Sequence, residues 1–233
     1  VLVGKAARLW LDLYFWQSSL GKLYQPIIFK HIADDCFMLI IEQAQPSQAA
    51  DIARLIMEAM NHDCCLYFAG ETHGLMGFHQ LMTHLVGRTD SQYSYLNTLV
   101  ALDAAGKVIG ICTSYDGAEL RRLRTAFVQS CLEQFGRDFS DMDDETAAGE
   151  LYVDSLAVDA HHRGQGIAKA LLKATILRAS RLSLPAVGLL VDKGNPKAEK
   201  LYHDVGFRYV GDNQWGGHAM KHLQYVFGDE HDA

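Results

Sequence analysis

Residues 150–182 constrain the fold of this chain more than any other stretch. "ELYVDSLAV" (150–158) reads as a strand, "DAHHRGQG" (159–166) as a polar turn, and 166–182 as a helix with small and apolar residues at helical spacing. The turn carries one arginine, Arg163, and two glycines, Gly164 and Gly166, at the mouth of that helix. The first four N–H groups of a helix have no partner inside it, and the macrodipole adds partial positive charge there. Glycine lets the backbone approach closely and aim several N–H groups at one anion, for which a pyrophosphate is the right size. An ordinary helix start, with glycine used only for turning, accounts for the same residues. Two nucleotide-binding patterns fail. There is no Gly-Lys-Ser/Thr ending, and Lys169 stands where a dinucleotide fingerprint needs its third glycine. A third pattern, Arg/Gln-x-x-Gly-x-Gly/Ala, is filled by Arg163, Gly166 and Ala168.

The remaining elements read in order. A strand at 38–45 is followed by a helix at 46–60, opened by Pro46 and Ser47 and carrying Ile52, Leu55, Ile56 and Met60. A second helix falls across 74–87. Strands 97–103 and 108–116 form a hairpin about "AAGK", and 117–135 is helical. Residues 136–149 are acidic and turn-rich. A strand at 186–192, a helix at 196–206 and strands at 207–213 and 219–227 complete the chain. With no repeat and no linker after Met38, one mixed α/β domain over 38–233 is the economical organisation. Residues 1–37 are an aromatic, mildly basic appendage, helical or extended, or an upstream extension foreign to the native protein. Their apolar run is broken by Asp12 and is too short to span a bilayer.

The formal net charge of −7 without a sustained basic stripe argues against nucleic acid and admits a cationic substrate. Five cysteines without a framework spacing read as reduced thiols of a cytoplasmic protein. No metal is expected. Cys64-Cys65 beside His62 lack a matching second pair, and the adjacent His161 and His162 point apart.

"SLAVDAHHRGQGIAKALL" (155–172) resembles the signature of the GNAT superfamily of acetyl-CoA-dependent N-acetyltransferases. "NPKAEKLYHDVGF" (195–207) is similar to that family's second motif, and the element order from Met38 also matches. The resemblance covers roughly 38–227. It implies a mixed, mostly antiparallel, splayed sheet of about seven strands flanked by helices, acetyl-CoA as cosubstrate, and direct attack of an amine on the thioester. The departure is a helical and acidic insertion at about 117–149. Acetyl transfer to an amine needs a base for the ammonium proton, a donor for the oxyanion and an acid for the departing thiolate.

The resemblance makes Tyr202 the acid. It places Asp154 as the base, with Glu150 as second candidate. Backbone groups of Leu156, Ala157 and Val158 would pair with the pantetheine arm, with Leu156 or Ala157 donating to the oxyanion. Arg163, Gly164, Gln165, Gly166, Ile167 and Ala168 would cradle the pyrophosphate. Asn195 would contact the cofactor or cap its helix. Lys169 and Lys200 are candidates for the 3′-phosphate, or are solvated helix lysines. Period-two alternation sets Tyr152, Asp154, Leu156 and Val158 on one face of their strand, and Leu151, Val153, Ser155 and Ala157 on the other.

The acceptor is expected to be a small-molecule or peptide amine, drawn by Asp141, Asp143, Asp144, Glu145 and Glu150, although such a run also suits a solvated loop. Tyr93 and Tyr95 either wall the acceptor pocket or pack the core. Cys112 and Cys131 are expected to be structural. Domains of this kind often pair, and 219–227 is the candidate surface for a homodimer. Two other readings stay open: an acyl-CoA sensor without turnover, and membrane association through 1–37.

Overall fold

The computed structural model describes residues 27–30 and 38–228. Strands β1 (Ile27–Lys30), β2 (Met38–Gln43), β3 (Thr98–Leu102), β4 (Val108–Asp116), β5 (Leu151–Val158), β6 (Ala186–Asp192), β7 (Arg208–Trp215) and β8 (His218–Val226) form one sheet in the order β1-β2-β3-β4-β5-β6-β8-β7. Every pairing is antiparallel except β5 with β6. The sheet is open and mixed, as the sequence implies. It gains an eighth strand, because β1, within the stretch read as an appendage, pairs along the whole of Met38–Ile41. The rest of that stretch, Cys36 included, lies outside the described residues.

The helices are α1 (Ala49–Met60), α2 (His62–Gly87), α3 (Leu120–Phe135), α4 (Ile167–Arg181) and α5 (Pro196–Val205). They cover both faces of the sheet. On one, Ile52, Leu55 and Ile56 of α1, Phe68, Phe78 and Leu81 of α2, and Phe127 of α3 are buried together. On the other, Ile167, Leu171 and Leu172 of α4 pack with Val187, Leu189 and Phe207. Each such side chain contributes about 1.5–3 kcal/mol on leaving water, so the two layers clamp the sheet between them.

Helix α2 begins a dozen residues before the expected start at 74. The Asn61 side chain accepts from the Cys64 N–H at 2.9 Å and caps it. Gly70 (φ 71°) and Gly74 (φ 59°) interrupt it in the left-handed region. These breaks reset the apolar stripe, so a single 3.6-residue period does not run through 62–87.

Two irregularities of β5 build the site. It pairs with β6 only over Leu151–Val153 against Val187–Leu189, while β6 continues along β8 to Asp192. From Asp154 onward β5 therefore has an edge free of β6, and the sheet splays. On the other side, Thr113 of β4 opposes Ser155 and Ser114 opposes Val153, leaving Asp154 as the extra residue of a bulge. This corrects the expected alternation. Leu151 and Val153 pack in the α4 layer, and so do Leu156 and Val158 beyond the bulge, whereas Ala157 packs in the α1–α2 layer. One inserted residue flips the faces of everything after it.

Candidate active site

Where β5 leaves β6, a cleft of about 860 Å³ opens. Its floor is Leu156–Val158, its rim is the 162–166 turn with Ile167, Ala168 and Lys169 of α4, and its far wall is Lys197, Ala198, Leu201 and Tyr202 of α5. Gly164 (φ 78°) and Gly166 (φ 80°) hold left-handed conformations, and a Cβ built on either meets nothing within 4 Å. Glycine is required here by backbone conformation and not by crowding, and it leaves open space in front of the unpartnered amides of the first α4 turn.

Arg163 braces this turn. Its Nε donates to the Val158 carbonyl at 3.0 Å, and its guanidinium reaches the Glu58 carboxylate of α1 at 3.2 Å. Asp159 accepts from the His161 N–H at 3.1 Å and pairs with Arg54 at 3.3 Å. The His161 amide, with His162 and Arg54, outweighs its burial and holds the Asp159 carboxyl below the usual range. Gln165 is exposed on the turn and does not line the cleft. Lys169 lines it and pairs with Asp204 at 3.0 Å, an acceptor shared with Lys200, which lies outside the cleft. Lys197, in the first turn of α5, lines it as well and was not singled out from the sequence. Asn195 caps α5, accepting from the Ala198 N–H at 3.1 Å, with Pro196 following at the first helical position.

Tyr202 is half-buried in the cleft wall against Phe207, ring centroids 6.0 Å apart. Burial, with the nearby Cys112 thiol, pushes its phenol up to about 12. It therefore keeps its proton through neutral pH. Cys112 is itself buried and accepts from the Thr175 hydroxyl at 3.1 Å, and Cys131 is fully buried in the α1–α2–α3 core.

At the bulge, Asp154 is partly exposed and accepts from Gln92 Nε2 at 3.0 Å and Ser155 Oγ at 2.8 Å, and the Tyr115 hydroxyl lies 3.2 Å from its Oδ2. Burial raises its pKa against the opposing pull of these donors and of Arg124. Tyr115 also reaches Glu145 Oε1 at 3.1 Å. Glu145 is buried, bonded by Arg124 and by Trp215 Nε1 of β7 at 3.1 Å. Its burial, with the Asp154 charge, lifts it to about 7 despite Arg124 and Tyr115.

The acidic run thus divides. Asp141 and Asp143 are exposed, Asp144 pairs with Arg121 at 2.8 Å and Arg124 at 3.2 Å, and Glu145 turns inward. Glu150 is buried between β6 and β8, accepting from His222 (2.8 Å), Gln224 (2.7 Å) and Thr146 (2.6 Å). Burial alone would raise its pKa, but these three donors outweigh it and hold it low. Tyr93 is buried in the core, and Tyr95 packs against the same cluster. Gln92, Tyr115 and Arg124 were not singled out from the sequence, and Glu145, expected in an acidic run that draws the acceptor or forms a solvated loop, is instead buried. One signal was present: Arg124 falls within the stripe of Leu120, Leu123, Phe127 and Cys131, and a cation there needs a buried anion.

Among the described residues no helix is long and apolar enough to cross a membrane, and no group of three or more His, Cys, Asp or Glu is arranged to hold a metal ion. Residues 66–207 match the family model described as the acetyltransferase (GNAT) family. A probable spermine N(1)-acetyltransferase from Bacillus subtilis subsp. natto is 29% identical over 83 residues, 35% of this chain and 55% of that protein. A mycothiol acetyltransferase from Propionibacterium freudenreichii is 37% identical over 68 residues, 29% of this chain and 21% of that protein. The match thus spans about half, or less, of the length of these curated relatives. An N-acetyltransferase structure from Staphylococcus aureus Mu50 superposes with a TM-score of 0.66 at 25% identity, covering 79% of this chain and 99% of that one. A crystal structure described as an acetyltransferase gives 0.65 at 28% identity, over 80% and 98%.

Proposed function

The chain belongs to the acetyltransferase (GNAT) family, and on that premise we propose that it moves an acetyl group from acetyl-CoA to a primary amine. One observation carries this reading: the cleft joins an open β5 edge, a glycine turn at a helix mouth and a protonated phenol within a single cavity. The β5 edge that β6 leaves uncovered at Leu156–Val158 suits the amide-bearing pantetheine arm, and the first α4 amides with Gly164 and Gly166 suit the pyrophosphate. Lys169 and Lys197 supply positive charge at the outer end. Tyr202 protonates the leaving sulfur. Asp154 takes the amine proton, a role that Glu150 is poorly disposed for, since three donors and the β6 backbone enclose it.

A polycationic amine is the acceptor class we favour. The formal charge of −7 and the exposed Asp141 and Asp143 ahead of β5 suit it, and the matched Bacillus relative carries spermine in its name. Titration calorimetry of acetyl-CoA, beside a Gly166→Asp variant, tests the cradle. Thiol release with spermine, spermidine, a monoamine and a lysine peptide tests the acceptor. Binding lost in the variant, with turnover fastest on the polyamines, is expected. A folded protein that binds no acetyl-CoA would overturn the activity, and binding without turnover on any amine would make the domain a sensor.

A further inference from the structure

The Tyr115 hydroxyl stands between two carboxylates, 3.1 Å from Glu145 Oε1 and 3.2 Å from Asp154 Oδ2. It has one proton, so it can donate to only one of them. The other contact is a hydrogen bond only when that carboxyl is itself protonated and donates to the phenol oxygen. The remaining donors do not relieve this. Gln92 and Ser155 serve Asp154, and Arg124 and Trp215 serve Glu145 through Oε2, leaving Oε1 with Tyr115. Asp154 is partly open to solvent, while Glu145 is buried and accepts from Trp215 Nε1.

Resting on the activity proposed above, we infer that Glu145, supplied by the 117–149 insertion, is a positioning residue that receives the substrate proton from Asp154 through the Tyr115 hydroxyl. An N–H bond of the acceptor ammonium breaks and an Asp154 Oδ2–H bond forms. That bond then breaks as the Tyr115 oxygen takes the proton, while the original Tyr115 O–H bond breaks and a Glu145 Oε1–H bond forms. The carboxylate pair passes from two negative charges to one, and Asp154 is again ionised. The transfer carries the proton from the partly exposed Asp154 to the buried Glu145, which burial and the Asp154 charge lift to about 7. The charged and titratable groups facing it are Arg124 of α3, Asp144 of the loop, Tyr93 ahead of β3, Tyr115 of β4, and Tyr152 and Asp154 of β5.

Two readouts test this. The first is ¹³C-carboxyl NMR titration of the intact protein, which needs no turnover. One carboxyl titrating near 7 is expected, absent in Glu145→Gln and titrating no lower in Tyr115→Phe. Two carboxyls titrating in the ordinary range overturn the inference. The second is the pH profile of kcat with the best amine. The wild type should lose rate as pH falls through about 7, when Glu145 becomes protonated and cannot accept. Glu145→Gln and Tyr115→Phe should each lower kcat at least about 10-fold and abolish that limb. A uniform fall with the limb retained makes Glu145 merely structural and overturns the relay. Tyr115→Phe, which leaves both carboxylates in place, serves if Glu145→Gln does not fold. Absence of turnover on every amine would strike the proposed activity instead, and the NMR titration then decides alone whether the pair shares one proton.

Discussion

Replacing Gly188 by alanine should destabilise the protein through a residue 38 positions away in sequence. A Cβ at 188 would lie 1.7 Å from Glu150 Oε2, 2.1 Å from its carboxyl carbon and 2.6 Å from Oε1. No rotation of a methyl group relieves contacts that close, so the carboxylate must leave its place. Its Oε2 accepts from His222 at 2.8 Å and from Gln224 at 2.7 Å, and both bonds are lost when it moves. Hydrogen bonds to a charged group contribute about 1.5–3 kcal/mol each, which gives about 3–6 kcal/mol for the pair. The assay is urea denaturation of a double-mutant cycle made with Glu150→Ala. In that second background the carboxylate that the Cβ would strike is gone, and Gly188→Ala should cost far less. A pH series adds a sign. The Glu150 pKa is held below its ordinary value, so its stabilisation is present above the unfolded value of about 4.3 and is lost as pH falls through the folded one. The gap between wild type and Gly188→Ala should therefore close in acid. A loss under about 1 kcal/mol, or an equal loss in both backgrounds, would refute the close-packing argument.

Arg124→Met removes the buried cation that faces Glu145 and should cost about 3 kcal/mol or more on the alkaline side of 7. The raised Glu145 pKa means that its contribution is favourable in acid and lost as pH rises through about 7, so chemical denaturation across that range should show the penalty growing with pH. Tyr202→Phe keeps the ring against Phe207 and removes only the proton donor. Acetyl-CoA affinity by calorimetry should hold while kcat falls about 100-fold, and an unchanged kcat would remove Tyr202 from the chemistry. Gly164→Ala places a side chain at φ 78° and should cost about 1–2 kcal/mol in a thermal or urea melt. Because its Cβ would point into open space before the cradle, acetyl-CoA binding should weaken beyond what that loss of stability explains.

Much of the fold was legible because its signals are local. The β6 and α5 assignments fall within a residue of the structure, since apolar runs bounded by Gly, Pro and Asn mark both ends. The β3–β4 hairpin and α3 were read from period and turn chemistry in the same way. The start of α2 was not, because Gly70 and Gly74 turn the helix and reset its apolar face. The cleft was legible in part. Leu156–Val158, Arg163, Gly164, Gly166, Ile167, Ala168, Lys169 and Tyr202 all line it, whereas Gln165, Asn195 and the two carboxylates Asp154 and Glu150 do not, and Lys197 was missed. Asn195 shows how one residue type serves two ends: its cap of α5 is a local bond that any Asn before Pro can make.

Sequence alone settled the turn-to-helix junction at Gly164 and Gly166, because positive φ, helix termini and apolar period depend on residues within a few positions of each other. Tertiary structure alone decided what each carboxylate does. Asp154 meets Gln92, 62 positions away, because a bulge fixes the β4–β5 register. Glu145 meets Trp215 across 70 positions, and Glu150 meets His222 across 72. Three acids in ten residues of one chain thus acquire different proton affinities, since charge is tuned by the dielectric and the donors around it, and those arrive from strands and helices that only the folded sheet brings together.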